Sequence, residues 1–210
     1  MPLMAALASS LSLFFPSAPG FYVARPTLHD PVLTLRSAPR GRVLTQITNI
    51  TDLGSPLVLG VGAHRDGWVG VITSALPNGR LGWVPRTTLS LSRARVTITV
   101  SLSRHRLVVR RGGRVVRTLR VGTGGPRTPT PRGVFVVTDK LRGHGVYGCC
   151  ILALSGHQPA VESWWDGDPR LAIHGGEYGS NSFGCLHAGE HDLRYLMAHV
   201  PLGTPVRVQR

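Results

Sequence analysis

The stretch Ala172-Ile173-His174-Gly175-Gly176-Glu177-Tyr178-Gly179-Ser180-Asn181-Ser182-Phe183-Gly184-Cys185-Leu186-His187 decides how this chain is read. It sets a histidine at the end of a short apolar run and a cysteine eleven residues later, with glycines beside both. A loop of that length can fold back so that imidazole and thiol meet, and a thiol needs a neighbouring base or positive charge to become a useful thiolate near neutral pH. Gly184 removes side-chain bulk just before the sulfur, which permits a tight backbone whose amide N–H groups are expected to face an oxyanion. Taken alone the pair is weak evidence, because a single cysteine is usually an inert buried hydrophobe and a single histidine a hydrogen-bonded core residue.

Beyond this stretch, Leu193, Leu196 and Met197 fall at i, i+3, i+4 spacing and predict a helix over Glu190 to His199; Val206 and Val208 then mark a last strand. Upstream, Val96, Ile98 and Val100 alternate with polar residues. Leu107-Val108-Val109 leads through Arg111-Gly112-Gly113-Arg114 to Val115, Leu119 and Val121. Gly-Gly supplies the positive φ angles of a two-residue turn, so this is a hairpin. Val134 to Val137, Ile151 to Leu154 and Leu171 to Ile173 read as further strands. The fold class is mainly β, a sandwich or barrel with one short C-terminal helix. Residues 25–91 are punctuated differently: Val58 to Val61, Gly67 to Val71 and Gly82 to Val84 are brief runs separated by turns such as Pro77-Asn78-Gly79, which predicts a separate small β-barrel. There is no internal repeat.

The 210 residues suffice for one ordinary domain or two small ones. Three cysteines without a CxxC pair exclude a disulfide-framework miniprotein and a zinc ribbon. The formal charge is +14, and Lys140 is the only lysine among 24 basic residues. So many arginines suit an acidic partner such as a cell-wall polymer, although a genome-wide preference for arginine would give the same composition. Nucleic acid is not expected, since stacking aromatics are few at 6%. Met1 to Phe15 is apolar and uncharged, followed by a small-residue exit at Pro16 to Gly20. Residues 1–24 therefore read as an export leader, though without a basic start, and the mature body is expected to lack an integral membrane span. Location is then extracytoplasmic, in the cell envelope or secreted.

The order of these pieces carries a resemblance. The strands from Val96 to Val121, Gly122-Thr123-Gly124, Thr128-Pro129-Thr130-Pro131-Arg132-Gly133-Val134-Phe135, Tyr147-Gly148, Ser155-Gly156-His157, Ile173-His174-Gly175 and Ser182-Phe183-Gly184-Cys185 together resemble the L,D-transpeptidase catalytic domain, the YkuD family, over about Arg95 to Gln209. Asp66-Gly67-Trp68-Val69, Leu76-Pro77-Asn78-Gly79 and Gly82-Trp83-Val84 resemble bacterial SH3-like domains, with the two tryptophans expected to fill the core rather than to form a ligand groove. The implied organisation is a leader (1–24), an SH3-like β domain (25–91) and a YkuD-like catalytic domain (92–210).

The transpeptidase resemblance implies that Cys185 is the nucleophile, His174 its base, and Gly175 the residue whose carbonyl fixes the imidazole. Ser182 and Gly184 match the family's Ser-His-Gly-Cys box. The implied reaction attacks the amide after the third residue of a peptidoglycan tetrapeptide stem, expels D-alanine and passes the acyl group to an amine, with no metal or organic cofactor. Tyr147 and Ser155 are expected to line the donor groove. Two positions depart from the pattern: Phe183 stands where the box has histidine, and His187 where arginine or asparagine is usual. Base function therefore falls to His174 alone, and His187 is read as a pH-dependent partner for a substrate carboxylate. The loop from His174 to Cys185 is also shorter than typical.

Other readings stay open at this point. Cys185, His187 and His191 have Cys-x-His-x3-His spacing, a metal alternative without a further ligand. The chain could be a non-catalytic wall-binding protein with a degenerate transpeptidase fold, or an L,D-carboxypeptidase using water as acceptor. Cys149 and Cys150 are adjacent, so they are expected either to be reduced and buried or to leave one free to pair with a distant partner such as Cys185.

Overall fold

Short aliphatic runs cut by glycine and proline fold into two principal sheets. The computed structural model describes residues 20–27, 31–161 and 168–210, so the apolar run Met1 to Phe15 lies outside the described residues. The first sheet holds β1 (Tyr22–Pro26), β2 (Val32–Arg36), β3 (Val43–Thr48), β4 (Leu59–Arg65), β5 (Trp68–Ile72), β6 (Gly82–Pro85) and β7 (Leu89–Arg93). Its order is β3-β2-β6-β5-β4-β1-β7, antiparallel throughout. Leu33, Leu35, Leu59, Val69, Val71 and Val84 form its own apolar cluster. The β4–β5 turn is Asp66-Gly67, both at positive φ, as a two-residue hairpin between right-twisted strands requires. β1 begins inside the stretch read as leader. Val23 and Ala24 are buried and pair with Gly60 and Leu59 of β4.

The second sheet begins with β8 (Val96–Ser101), β9 (Arg106–Arg111) and β10 (Arg114–Arg120). In β8 the β-branched residues Val96, Ile98 and Val100 are buried while Thr97, Thr99 and Ser101 face outward, the period of two expected of a half-buried strand. Gly112 and Gly113 turn β9 into β10 at φ +56° and +83°. Next come β11 (Thr123–Gly124), β12 (Gly133–Arg142), β13 (Cys150–His157), β14 (Arg170–His174), β15 (Ser180–Ser182), β16 (Leu186–His187), the helix α1 (Glu190–His199) and β17 (Pro205–Gln209). The large sheet is ordered β10-β9-β8-β17-β12-β13-β14-β16, while β11 and β15 form a separate parallel pair. The protein is thus mainly β, with a curled sheet and one α-helix among the described residues. Leu193 and Leu196 of α1 are fully buried in the core with Leu152, Leu154, Ile173 and Leu186. Each such leucine contributes about 2 kcal/mol of apolar burial. The helix has acidic Glu190 and Asp192 in its first turn and His199 in its last, a distribution that suits its dipole.

Cys149 and Cys150 are bonded to each other, and Cys185 is free. This corrects both expectations for the adjacent pair. Cys149 precedes β13 rather than belonging to it, so the alternation that would send neighbouring side chains to opposite faces does not separate the two sulfurs.

The two sheets touch through specific contacts. The Asn78 side chain acts as a strand edge: its Nδ2 donates to the His157 carbonyl at 2.6 Å and its Oδ1 accepts from the His157 N–H at 2.8 Å. Gly60 lies against Val136, where a Cβ would stand 2.7 Å from a methyl carbon. Thr51 donates its hydroxyl to the fully buried Asp139 of β12. Asp139 keeps one carboxylate oxygen without a hydrogen bond, so losing the Thr51 donor leaves a buried carboxylate poorly satisfied. Thr51→Val, similar in shape, is expected to lower unfolding free energy by about 1–3 kcal/mol. Thr118→Val on the exposed side of β10 serves as control, and equal denaturation midpoints for the two variants would contradict this role.

Candidate active site

β14 lends Arg170, Leu171, Ala172 and His174 to one cavity of about 560 Å³, which Cys185, Gly175 and Tyr147 also line. The cysteine arrives because β16 pairs in parallel with β14, matching Ile173 with Leu186 and His174 with His187. The connecting loop must therefore return to the strand it left. Its last bend is made at Gly184, whose φ of +111° favours glycine and where a Cβ would lie 2.3 Å from the Gln158 amide nitrogen. Ser182 pins that bend: its Oγ accepts from the Gly184 N–H at 3.0 Å and donates to the Cys185 carbonyl at 2.6 Å. Thr128 adds a hydrogen bond from its hydroxyl to the Ser182 carbonyl at 3.0 Å.

His174 is held in one tautomer. Its Nδ1 lies 2.6 Å from the Gly175 carbonyl, which can only accept, so Nδ1 carries the proton and Nε2 keeps a lone pair. The Tyr147 ring meets the imidazole edge-on, with centroids 5.0 Å apart, and the Tyr147 carbonyl accepts the Gly175 N–H at 2.7 Å. The His187 ring lies 4.9 Å from that of His174 and its Nδ1 is 3.0 Å from the Glu177 carbonyl. Burial holds the His174 imidazole below its ordinary pKa; the Gly175 carbonyl opposes this and His187 reinforces it.

The Cys185 sulfur is 3.9 Å from the Arg170 carbonyl. Burial pushes its thiol up to about 11, against a backbone hydrogen bond at Ala172 and helped by the nearby Asp168 carboxylate. Low imidazole and high thiol pKa values together describe a neutral resting pair, not a preformed thiolate–imidazolium.

Most residues singled out in the sequence meet here; one does not. Cys185, His174, Gly175, Tyr147, Ser182 and His187 line the cavity, and Gly184 shapes its floor. Ser155 is elsewhere: it is buried, accepts the Val136 N–H at 3.0 Å and borders a second cavity between the two sheets. Strand alternation in β13 and the bond to β12 fix it there, so its expected place in the donor groove is corrected. The Gly184 N–H is engaged by Ser182 and so is not open to an oxyanion, which leaves the Cys185 N–H, unbonded among the described residues. His191 stands on α1 beside Arg117 at 2.9 Å, away from Cys185 and His187. Among the described residues no group of three metal-ligating side chains comes together.

Sequence reasoning missed Arg170, Asp168 and Gln158. Arg170 is nearly buried and forms a two-pronged ion pair with Asp52, which comes from the β3–β4 connection of the other sheet, with Asp168 and Asp139 at 3.5 and 3.9 Å. In return the Asp52 carboxyl is held below the usual range, chiefly by the Arg170 hydrogen bond and against desolvation. The signal for Arg170 was its spacing of four from His174 on one strand, which puts both on one face. Leu53, Val146, Tyr147 and Phe183 are exposed and line the same cavity, giving it an apolar rim.

Residues 95–208, more than half of the chain, match the family model of the YkuD L,D-transpeptidase catalytic domain, and the chain belongs to this family. Solved structures similar to it include a mutant L,D-transpeptidase from Enterococcus faecium, 24% identical over 55% of this chain and 50% of that one, with a TM-score of 0.44. An L,D-transpeptidase from Mycobacterium smegmatis is 19% identical over 73% of this chain and 90% of its own, with a TM-score of 0.46. The isolated E. faecium catalytic domain is 26% identical over 54% and 96%, with a TM-score of 0.40. This chain thus spans half the length of the larger E. faecium chain. The sequence matches no curated protein.

The neutral resting thiol has a direct readout. Alkylation of Cys185 by iodoacetamide, followed by intact mass, is expected to be slow at neutral pH and to quicken about tenfold per pH unit toward a midpoint near 11. A rate already level by pH 8 would show a preformed ion pair instead.

Proposed function

We propose that this protein is a peptidoglycan L,D-transpeptidase of the cell envelope, with Cys185 as nucleophile and His174 as its base. One observation carries the reading: in a chain of this family, the described free thiol and an imidazole with its Nε2 lone pair available face the same cavity. His174 takes the thiol proton while Cys185 Sγ attacks the carbonyl carbon after the third residue of a tetrapeptide stem. The oxyanion forms against the Cys185 N–H. His174 returns the proton to the departing nitrogen, the C–N bond breaks and D-alanine leaves behind a thioester. An acceptor amine then loses a proton to His174, attacks the thioester and expels the sulfur, which recovers that proton. The residues themselves supply every proton transfer, so no metal or organic cofactor is needed.

Gly175 serves as the orienting acceptor for His174, and Ser182 and Gly184 hold the nucleophile's turn. Tyr147 supplies a groove wall, and His187 a partner for a substrate carboxylate. The seven-stranded sheet with its own apolar cluster supports reading residues 25–91 as a bacterial SH3-like domain before a catalytic domain over 92–210. Action on peptidoglycan places the protein outside the cytoplasm. No helix among the described residues is long and apolar enough to cross a membrane.

Incubation with a carbapenem and intact mass tests the reading. An acyl adduct is expected on the folded protein and absent from Cys185→Ala; a folded protein that gains no adduct would point to the non-catalytic wall binder. Product analysis with a tetrapeptide stem and an amine acceptor separates transfer from hydrolysis. A free tripeptide despite abundant acceptor would identify a carboxypeptidase. The pH profile of adduct formation should rise to a plateau with its acid limb below about 6.5, because His174 must be neutral and burial holds it so. A midpoint above that value would remove His174 from the role of base.

A further inference from the structure

Between Gly67 and Thr138 the chain carries thirteen arginines and no aspartate or glutamate. The fold gathers several of them on one face. The core side of the β10-β9-β8-β17 region is apolar, so strand alternation turns the other residues outward. Cross-strand register then sets Gln209 beside Ser101, Ser101 beside Arg106 and Arg106 beside Arg120. The next row runs from Arg207 to Thr99 to Val108 to Thr118, and a third joins Thr97 to Arg110. Arg106 and Arg120 are like charges placed directly opposite, an arrangement that destabilises a sheet. Among the described residues no carboxylate lies within ion-pairing distance of Arg106, Arg110 or Arg120.

This face has two ends. On one side it reaches a cavity of about 280 Å³ between the sheets, bordered by Arg207 and by Arg80 from the seven-stranded sheet. On the other, β10 runs directly into the candidate active site: the Gly122 N–H donates to the His187 carbonyl at 2.8 Å and the Thr123 N–H to the Gly179 carbonyl at 2.7 Å. The Arg120 guanidinium lies 5.4 Å from the Tyr178 ring centre. A partner held on this face is therefore held beside the cavity of Cys185.

We propose that the outer face of β8, β9, β10 and β17 binds a linear phosphodiester polymer of the cell envelope, and so holds the enzyme next to its peptide substrate. The proposal rests on the envelope reading above and adds a partner to it. Guanidinium forks match phosphate oxygens two at a time, and the threonine and serine hydroxyls between them add donors. Rows of arginine spaced along strands suit a chain with regularly repeated charge. The paired strand residues of this face include no aromatic side chain on which a base could stack, which disfavours nucleic acid.

The test measures binding of the full chain to fluorescent poly(glycerol phosphate) by anisotropy as salt is raised. Wild type is expected to bind and to weaken steeply with salt. The triple variant Arg106→Gln, Arg110→Gln, Arg120→Gln should bind about tenfold more weakly and with a shallower salt dependence. Arg25→Gln, Arg40→Gln, Arg42→Gln removes the same charge from the other sheet and should retain most binding. Equal losses in the two triples would reduce the effect to net charge and overturn the site. Because an opposed pair is relieved, the first triple should melt no lower than wild type; if it does melt lower, Arg106→Gln with Arg110→Gln gives the same comparison. Binding as tight to polyglutamate, single-stranded DNA or phosphatidylglycerol vesicles also overturns the phosphodiester assignment. Carbapenem acylation of Cys185, measured on the same variants, should be unchanged. Wild type that is acylated but does not bind the polymer refutes the surface and leaves the catalytic reading standing, whereas wild type that binds the polymer but is not acylated does the reverse.

Discussion

The parallel pairing of β14 with β16 is the constraint on which the site depends. Two strand residues on each side, Ile173 with Leu186 and His174 with His187, oblige the intervening loop to close on itself. That closure puts a sulfur one residue before the pairing and an imidazole within it. Gly184 makes the last bend sterically possible, and Ser182 locks it with two hydrogen bonds. The apolar side chains Ile173 and Leu186 are fully buried, so the pairing is anchored in the core while its polar neighbours face the cavity. Packing and chemistry thus meet at one short stretch of backbone.

The electrostatics of the cavity follow from the same burial. A low-dielectric wall disfavours charge on both sulfur and imidazole, and it does so in opposite pKa directions. The site stores no charge separation at rest. In the proposed reaction, charge separation comes only with a reacting carbonyl, so the proton moves in step with bond formation. The Gly175 carbonyl contributes by fixing the His174 proton on Nδ1, and Tyr147 steadies Gly175 through its carbonyl and His174 through its ring.

Local signals in the sequence were enough for elements whose physics is local. The spacing of Leu193, Leu196 and Met197 specified α1, Gly112-Gly113 specified the β9–β10 turn, and the alternation from Val96 to Ser101 specified β8. The gathering of Cys185, His174 and Tyr147 also followed from the order of motifs. What stayed hidden depends on partners far away in the chain. Ser155 looked like a groove residue until its neighbour on β12 was known. Arg170 had no visible reason to be buried, because its partner Asp52 is 118 residues earlier. The Gly184 amide seemed open until Ser182 was seen to occupy it. Val23 and Ala24 read as the tail of an apolar leader because their strand partners, Gly60 and Leu59, give no local cue.

The asparagine clasp and the buried acid beneath it have an engineering corollary. Thr51, Asp52 and Asn78 of the first sheet's half supply hydrogen bonds to Asp139, Arg170 and His157 of the second. Excising the amino-terminal half would take the Thr51 donor from buried Asp139 and the Asp52 carboxylate from Arg170, leaving Asp168 and Asp139 as the remaining counterions, so a shortened version calls for compensating substitutions at Asp139 and Arg170.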